Sequence, residues 1–199
     1  MDRQQFLNDI LKIHSVSVAT VDESSKPANR IIDMMYMEDD CLYFLTGRGK
    51  NFYKELKENG YVALSCQKNN RAYTLKGYVE EVDHHYLDIL FDHNRYMWGT
   101  YPGETRHVLE VFRIYKWRGE FFDLTSKPVN RIAFAKDMDD IIPGTFYVDE
   151  GCIGCKKCID VCPQKCITFK NNKAFIPIEH CLRCGACYEV CPANAIRQY

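Results

Sequence analysis

The sequence of 199 residues lacks long apolar runs, an excess of charge of either sign and low-complexity tracts. No stretch approaches the ~20 apolar residues that a membrane-spanning helix needs, so we expect no membrane association. The formal net charge of −1 gives no electrostatic case for binding nucleic acid. The first residues, Met-Asp-Arg-Gln-Gln, have neither the basic nor the apolar region of a secretory signal, and we therefore expect the protein in the cytoplasm.

Cysteine, in contrast, is abundant, with 11 residues. Eight of them form two runs of the pattern C-x2-C-x2-C-x3-C-P, and each member of the second run lies 29 positions after its counterpart, as 181 lies after 152. The runs are Cys152, Cys155, Cys158 and Cys162, then Cys181, Cys184, Cys187 and Cys191. The repeat indicates a duplicated structural unit. In a chain expected in the cytoplasm, this many cysteines favours metal ligation over disulfides.

The spacing of the runs predicts two 4Fe-4S clusters. Three cysteines two residues apart can surround one corner of a cubane cluster, whereas the fourth, followed by proline, is directed away and serves the other cluster. On this crossed pattern the first cluster has the ligands Cys152, Cys155, Cys158 and Cys191, and the second has Cys181, Cys184, Cys187 and Cys162. The run resembles the bacterial two-cluster ferredoxins over about the last 55 residues.

Two other interpretations of the cysteines are a disulfide scaffold and a pair of zinc sites. Zinc sites commonly use two C-x2-C pairs with a longer spacer, and a third cysteine in the same tight run has no place in a tetrahedral site. Cys166 aligns with Ala195 in the other repeat, so we expect a packed thiol that binds no metal.

The remaining ~140 residues are enough for a second core. Periodicity and turn residues predict, in chain order, a helix over 2–13, strands over 15–21, 29–37 and 41–46, a helix over 51–58, a hairpin of 61–67 and 72–82, a helical stretch over 83–96, and a last hairpin of 107–117 and 120–124 that turns at Arg118-Gly119. A short helix is expected over 132–138. The many strands favour a closed antiparallel barrel.

Several segments of this region resemble the FMN-binding split barrel of the pyridoxamine 5'-phosphate oxidase-like family, over about residues 5–125. They are 19–22, 26–30, 42–46 with Lys50, 71–77 and 112–114. The predicted fold is therefore mainly β with α: an antiparallel split β-barrel over 1–125, a linker over 126–143 and a small α+β ferredoxin-type domain over 144–199. The resemblance also implies a homodimer that builds the flavin pocket from both subunits.

The resemblance implies FMN as cofactor and names its contacts. Arg30, Thr46 and Lys50 match the family's positions for the flavin phosphate, a dianion that needs cations and donors near the start of a helix. The adjacent backbone of Ile31, Ile32 and Asp33 would face the isoalloxazine edge. Taken singly, the two cations are equally consistent with surface charges and the threonine with an ordinary strand end.

Other residues have weaker claims to a role. His84 and His85 are more consistent with a solvated pair than with a metal site. Trp117 is placed to stack on a flavin or to pack in the core. Cys41 and Cys66 lie in predicted strands, where cysteine is usually a small buried apolar residue.

The combined features predict an oxidoreductase that passes electrons between bound FMN and two 4Fe-4S clusters. The segment with which true pyridoxamine phosphate oxidases hold the vitamin phosphate has no match, so we do not expect that activity. Two alternatives stay open: a flavin-free barrel that docks the ferredoxin domain to a redox partner, and a flavin-dependent reductase of a small substrate. The redox partner, whether a protein or a small molecule, and the direction of electron flow are not encoded in any motif.

Overall fold

The N-terminal helix forms where its sequence pattern predicts it. In the computed structural model, which describes residues 1–139 and 144–199, α1 spans Arg3–Ile13. The side chain of Asp2 caps it by accepting a hydrogen bond from the Gln5 N–H at 2.7 Å. Its apolar face packs into the core through three buried residues, Phe6, Leu7 and Ile10.

The other elements up to residue 139 are mostly strands. They are β1 Ser15–Val21, β2 Pro27–Asp33, β3 Tyr36–Glu38, β4 Cys41–Gly47, α2 Asn51–Asn59, β5 Tyr61–Lys68, β6 Arg71–Glu81, α3 His85–His93, α4 Met97–Thr100, a 3₁₀ helix Gly103–Val108, β7 Leu109–Asp123 and β8 Asn130–Lys136. The predicted turn between β5 and β6 is confirmed, since Asn69 and Asn70 take positive φ angles of 53° and 58°, as a two-residue hairpin turn requires. Gly60 ends α2 in the left-handed conformation, at φ 61°.

Eight strands form one sheet in the order β2-β1-β5-β6-β7-β4-β3, with β8 paired to β7. The pairs β1–β2, β1–β5, β3–β4, β4–β7 and β5–β6 are antiparallel. The sheet is curled, and its strand order confirms the predicted split barrel. Its core contains large aromatic side chains that are fully buried, among them Phe6, Tyr43, Phe44, Phe112 and Trp117.

Three predictions about individual elements in this sheet are wrong. The predicted strand over 29–37 is two strands, because the chain changes partner: the Met34 N–H donates to His14 on the β1 side, and the Met35 N–H donates to Tyr43 on β4. The predicted short helix over 132–138 is strand β8, since it pairs with the long strand β7.

The predicted hairpin at Arg118-Gly119 is the third error, because β7 runs straight through it. Gly119 provides space rather than a turn. A Cβ there would lie 2.7 Å from the Thr74 carbonyl oxygen and 2.8 Å from the Phe6 ring, closer than real Cβ atoms approach.

The described residues group into two units. The first contains Met1–Glu120 with residues 134–139, and the second contains Phe121–Ala133 with residues 144–199. Strands β7 and β8 therefore each contribute residues to both units. Each unit is treated separately below.

The second unit shows the duplication that the cysteine runs predict. Its elements are β9 Phe146–Val148, α5 Lys157–Asp160, β10 Thr168–Lys170, β11 Lys173–Phe175, a 3₁₀ helix Ile178–His180, α6 Ala186–Glu189 and β12 Ile196–Gln198. α5 and α6 are four residues long and occupy positions of the repeat that correspond. β9 pairs with β12 and β10 with β11, both antiparallel, around a core that includes Phe146, Ile167, Ile176 and Ile196.

Among the residues that the structure describes, no helix has the length and apolarity to cross a membrane.

Candidate functional site

The eight cysteines of the two runs line two separate cavities in the second unit. One cavity is lined by Cys162, Cys181, Cys184 and Cys187, with Cys166 also at its wall; we call it the 181 site. The other is lined by Cys152, Cys155, Cys158 and Cys191; we call it the 152 site. Each site thus combines three cysteines of one run with the fourth of the other, which is the grouping that the crossed assignment requires.

These cavities suit clusters better than single ions. Within residues 1–139 and 144–199, no three His, Cys, Asp or Glu side chains converge closely enough to hold one metal ion. Four thiols that border a cavity leave volume between them, and the atoms of an iron-sulfur cluster need such volume. Soft thiolates as the ligand type also match iron-sulfur chemistry.

Backbone N–H groups point at the sulfurs that the two runs exchange. The Ala195 N–H donates to the Cys191 Sγ at 3.3 Å. Burial alone would raise the pKa of the Cys162 thiol, but the N–H groups of Cys166 and Gln164 donate to its sulfur, and the pKa is lowered. Such donors stabilise thiolate and are one of the protein's means of setting a cluster potential.

Cys166 lies close to this ligand set without belonging to either run. It is buried, its sulfur lies 3.7 Å from the Cys162 Sγ, and burial raises the pKa of its thiol to about 12. Its counterpart in the other repeat, Ala195, is equally enclosed. The position therefore holds a small buried side chain in both halves.

One segment from outside the cysteine runs contacts the 181 site. The Val129 N–H donates to the Gln164 side-chain oxygen, and the Val129 carbonyl accepts from His180 Nδ1, both at 2.9 Å. The Arg131 Nε donates to the Cys181 carbonyl at 2.9 Å. The segment 129–131 is thereby held against residues near Cys162 and Cys181.

In the first unit, Arg30 has partners inside the chain. Its guanidinium donates to the Glu55 carboxylate at 2.6 Å and to the Thr20 hydroxyl, and it lies over the Phe52 ring at 4.5 Å from the centroid. Glu55 is buried, so the pair is shielded from water on one side. Two of five guanidinium N–H groups are used in these bonds, and the fork is fixed beside the first turn of α2.

Thr46 and Lys50 lie at the same end of α2. Thr46 is next to last in β4 and is buried, and its hydroxyl oxygen has no hydrogen-bond partner among the residues that the structure describes. Lys50 is exposed at the N-cap position of α2, where no side chain caps the helix. Because helix N-termini favour anions, an unpartnered hydroxyl, a lysine and an arginine at this point fit a phosphate group.

The three residues predicted for the flavin edge follow Arg30 on β2, the first strand in the sheet order. Ile31 is 67% exposed, which leaves a large apolar side chain in solvent. The Asp33 carboxylate accepts from Ser15 at 2.6 Å and from the Tyr96 hydroxyl at 2.7 Å. Burial alone would raise the Asp33 pKa, but these bonds and His14 together lower it.

The weaker candidates receive ordinary structural roles. His84 stacks on His107 with centroids 5.2 Å apart, and His85 pairs with Asp83 at 2.8 Å. Trp117 is fully buried, and its indole N–H donates to the Asp40 carbonyl at 2.8 Å. Of the two strand cysteines, Cys41 is buried. Burial raises the pKa of Cys66 to about 12.

Sequence reasoning missed the residues that hold the predicted site residues in place. Glu55 and Thr20 orient Arg30, and Val129 and Arg131 contact the 181 site. Glu55 had one usable signal: a glutamate among the buried residues of α2, beside Phe52 and Leu56 on the same face, is unusual unless it is paired.

Comparisons with known proteins agree with this architecture. The model of the family described as pyridoxamine 5'-phosphate oxidase matches residues 3–118, and the chain belongs to this family. The model described as 4Fe-4S dicluster domain matches residues 145–192. The protein thus joins the fold of an FMN-binding family to a ferredoxin-type domain. A comparison with curated proteins gives no match.

Solved structures show the same fold at low identity. A NimC/NimA family protein from Clostridium acetobutylicum is 15% identical, with a TM-score of 0.58 over 67% of this chain and 92% of that chain. A protein from the same organism related to general stress protein 26 is 17% identical, with a TM-score of 0.54 over 69% and 98%. PhzG from Burkholderia lata, solved with tetrahydrophenazine-1-carboxylic acid, is 14% identical, with a TM-score of 0.50 over 69% and 85%.

Proposed function

We propose that the protein is an oxidoreductase that passes electrons between FMN and two 4Fe-4S clusters. The observation that carries the proposal is the pair of four-cysteine cavities in a chain whose other unit has the fold of an FMN-binding family. FMN exchanges two electrons with a donor or acceptor and one at a time with a cluster, so the combination links two-electron and one-electron carriers.

Each cluster takes its ligands from both cysteine runs in this proposal. The 152 site holds one cluster and the 181 site the other. The N–H groups directed at the Cys162 and Cys191 sulfurs stabilise the thiolates that ligation requires. A chain with 11 cysteines, eight of them in two runs that match cluster ligands, suits a reducing compartment, and we therefore place the protein in the cytoplasm.

The phosphate of FMN would be held by Arg30, Thr46 and Lys50. The Thr46 hydroxyl supplies a hydrogen bond that it does not make within the chain, and Lys50 supplies charge at the start of α2. Backbone groups of Ile31, Ile32 and Asp33 on the end strand β2 would face the ring system. These residues bind and orient the cofactor and perform no chemistry themselves.

We further propose that the protein is a homodimer. The flavin contacts named above all come from one chain, and one of them, Ile31, exposes two thirds of its surface. A partner chain that covers this strand would exclude water from the ring and remove the exposed apolar surface. Mass in solution tests the proposal, and a monomer that holds stoichiometric FMN would contradict it.

The decisive experiment combines cofactor analysis with a redox titration. Purified protein is expected to contain one FMN, eight iron and eight sulfide per chain. During stepwise reduction, and then rapid mixing with an oxidant, the flavin and cluster absorbances should change together. If flavin reoxidises while the clusters stay reduced for far longer than any turnover, the two kinds of centre do not exchange electrons.

A flavin-free docking barrel is the second candidate, and one observation favours it. Glu55 already compensates the charge of Arg30, so Arg30 does not need a phosphate as its partner. In that case the purified protein would show cluster absorbance alone, and added FMN would not bind. We expect no pyridoxamine phosphate oxidase activity in either case.

A further inference from the structure

The two cluster sites are nearly identical, which makes their differences informative. Each site is lined by four cysteines of the two runs, and the corresponding ligands Cys158 and Cys187 are 8% and 7% exposed. The exchanged ligands Cys162 and Cys191 each receive a backbone hydrogen bond from the residue four positions later. Two uncharged differences remain: Cys181 is buried while its counterpart Cys152 is half-buried, and Cys166 lies 3.7 Å from the Cys162 sulfur where the other repeat has Ala195. Deeper burial disfavours the added negative charge of a reduced cluster, so burial gives no reason for the 181 site to have the higher reduction potential.

The segment 129–131, which leads into β8, breaks this symmetry. It contributes a charged side chain, Arg131, whose Nε donates to the carbonyl of the ligand Cys181. The guanidinium is half-buried and lies over the Phe122 ring at 3.9 Å from its centroid. Val129 fixes the backbone of the same segment through both its N–H and its carbonyl. The Arg131 cation is thus held at the 181 site by the Cys181 carbonyl and the Phe122 ring.

Cations near the 152 site are placed differently. Lys156 and Lys157 occupy the repeat positions of Gly185 and Ala186, and both are exposed. Lys156 lies over the Phe169 ring at 5.0 Å, and Lys157 starts α5 beside the ligand Cys158. Exposed charges are screened by water and salt, whereas a half-buried charge is screened much less.

A second arginine beside the 181 site is also half-buried. Arg183 stands one residue before the ligand Cys184 and is half-buried, and it occupies the repeat position of Gly154. The backbone N–H of Arg183 donates to the Cys181 sulfur at 3.3 Å. The acidic residues next to the 181 site, Glu179 and Glu189, are exposed. The two sites therefore differ in the burial of their nearby cations, which are half-buried at the 181 site and exposed at the 152 site.

We propose that Arg131 is a positioning residue that makes the cluster of the 181 site the one with the higher reduction potential, so that the first electron resides there. Reduction adds one negative charge to a cluster, and a fixed, half-buried cation stabilises that charge. The expected preference is on the order of tenfold, which corresponds to about 59 mV for a one-electron couple. The inference rests on the proposed binding of two clusters.

The test is a redox titration of the full protein, followed by electron paramagnetic resonance. The two transitions are assigned with Cys155→Ser and Cys184→Ser, which change exposed ligands at the same position of the repeat. Each variant shifts or removes the transition of its own cluster. In the unchanged protein, we expect the transition that Cys184→Ser affects to lie at the higher potential.

Arg131→Gln should lower the reduction potential of the cluster that Cys184→Ser affects by about 59 mV, a tenfold change in the equilibrium constant. The potential of the other cluster should stay unchanged. Arg131→Lys, which keeps the charge, should stay closer to the original value. Lys157→Gln, an exposed cation beside the other cluster, should shift either transition less than Arg131→Gln does.

Two results would overturn the inference: a higher potential for the cluster that Cys155→Ser affects, or no change of either transition in Arg131→Gln. Failure of the underlying proposal looks different. An unchanged protein with fewer than eight irons per chain, or with one transition, would show that two clusters are not bound at all.

Discussion

Replacing Glu55 by glutamine isolates the contact that orients Arg30. Glutamine keeps the shape of the side chain and one oxygen acceptor but removes the negative charge that faces the guanidinium at 2.6 Å. The pair lies in a largely enclosed environment, since the two side chains are 22% and 8% exposed. The change should therefore destabilise the first unit.

The size of the effect follows from two opposing contributions. Unit charges about 4 Å apart attract by ~4 kcal/mol at an effective dielectric constant of about 20. Removal of both groups from water cancels a large part of this, and hydrogen bonds to charged groups contribute about 1.5–3 kcal/mol net. We expect a coupling free energy of about 2 kcal/mol between Arg30 and Glu55.

A double-mutant cycle measures this coupling directly. Arg30→Gln, Glu55→Gln and the double variant are unfolded in urea, and tryptophan fluorescence is followed. Both tryptophans, Trp98 and Trp117, belong to the first unit, so the signal reports its unfolding alone. A coupling below about 0.5 kcal/mol would mean that the two side chains do not interact in solution, since that is the scatter for independent sites. The placement of Arg30 beside α2 would then lose its support.

Three further predictions concern single positions. Cys166→Ala should leave eight irons and both cluster spectra intact, because the thiol fills space and is not a ligand; loss of iron would reassign it. Gly119→Ala should destabilise the first unit by about 1–3 kcal/mol through overpacking, while Gly49→Ala, with open space around its Cα, serves as a nearly neutral control by urea unfolding. The Asp33 pKa lies below its ordinary value of 3.8, so its stabilising contribution is present above pH 3.8 and is lost as pH falls through the folded pKa. Tyr96→Phe should raise that pKa in an NMR titration, and an unchanged value would contradict the contact.

Local signals in the sequence predicted the local structure well. The Asn69-Asn70 turn and the Gly60 helix end depend on residues within one turn of the chain, and both form as the sequence predicts. The helix that begins near Asp2 also forms, with the Asp2 side chain as its cap. The prediction failed at residues that are compatible with more than one local structure. Gly119 has the composition of a turn, but it provides the space that Phe6 and Thr74 need beside β7.

The segment over 132–138 shows a different limit. Its apolar spacing is compatible with a short helix, but the long strand β7 offers a partner and the segment pairs with it as β8. A short apolar run has no strong preference of its own, so the neighbouring strand decides its conformation.

The sequence by itself predicted which cysteines line each cavity, because the pattern is contained in two short runs and their repeat. It also indicated Arg30, Thr46 and Lys50 as one set, through their order along matching strands. Only the tertiary structure decided what holds these residues. Glu55 lies 25 positions from Arg30, and Cys181 lies 50 positions from Arg131. Such pairs meet because the sheet and the β7–β8 connection fold back on distant segments, and no periodicity or spacing in the chain records that meeting.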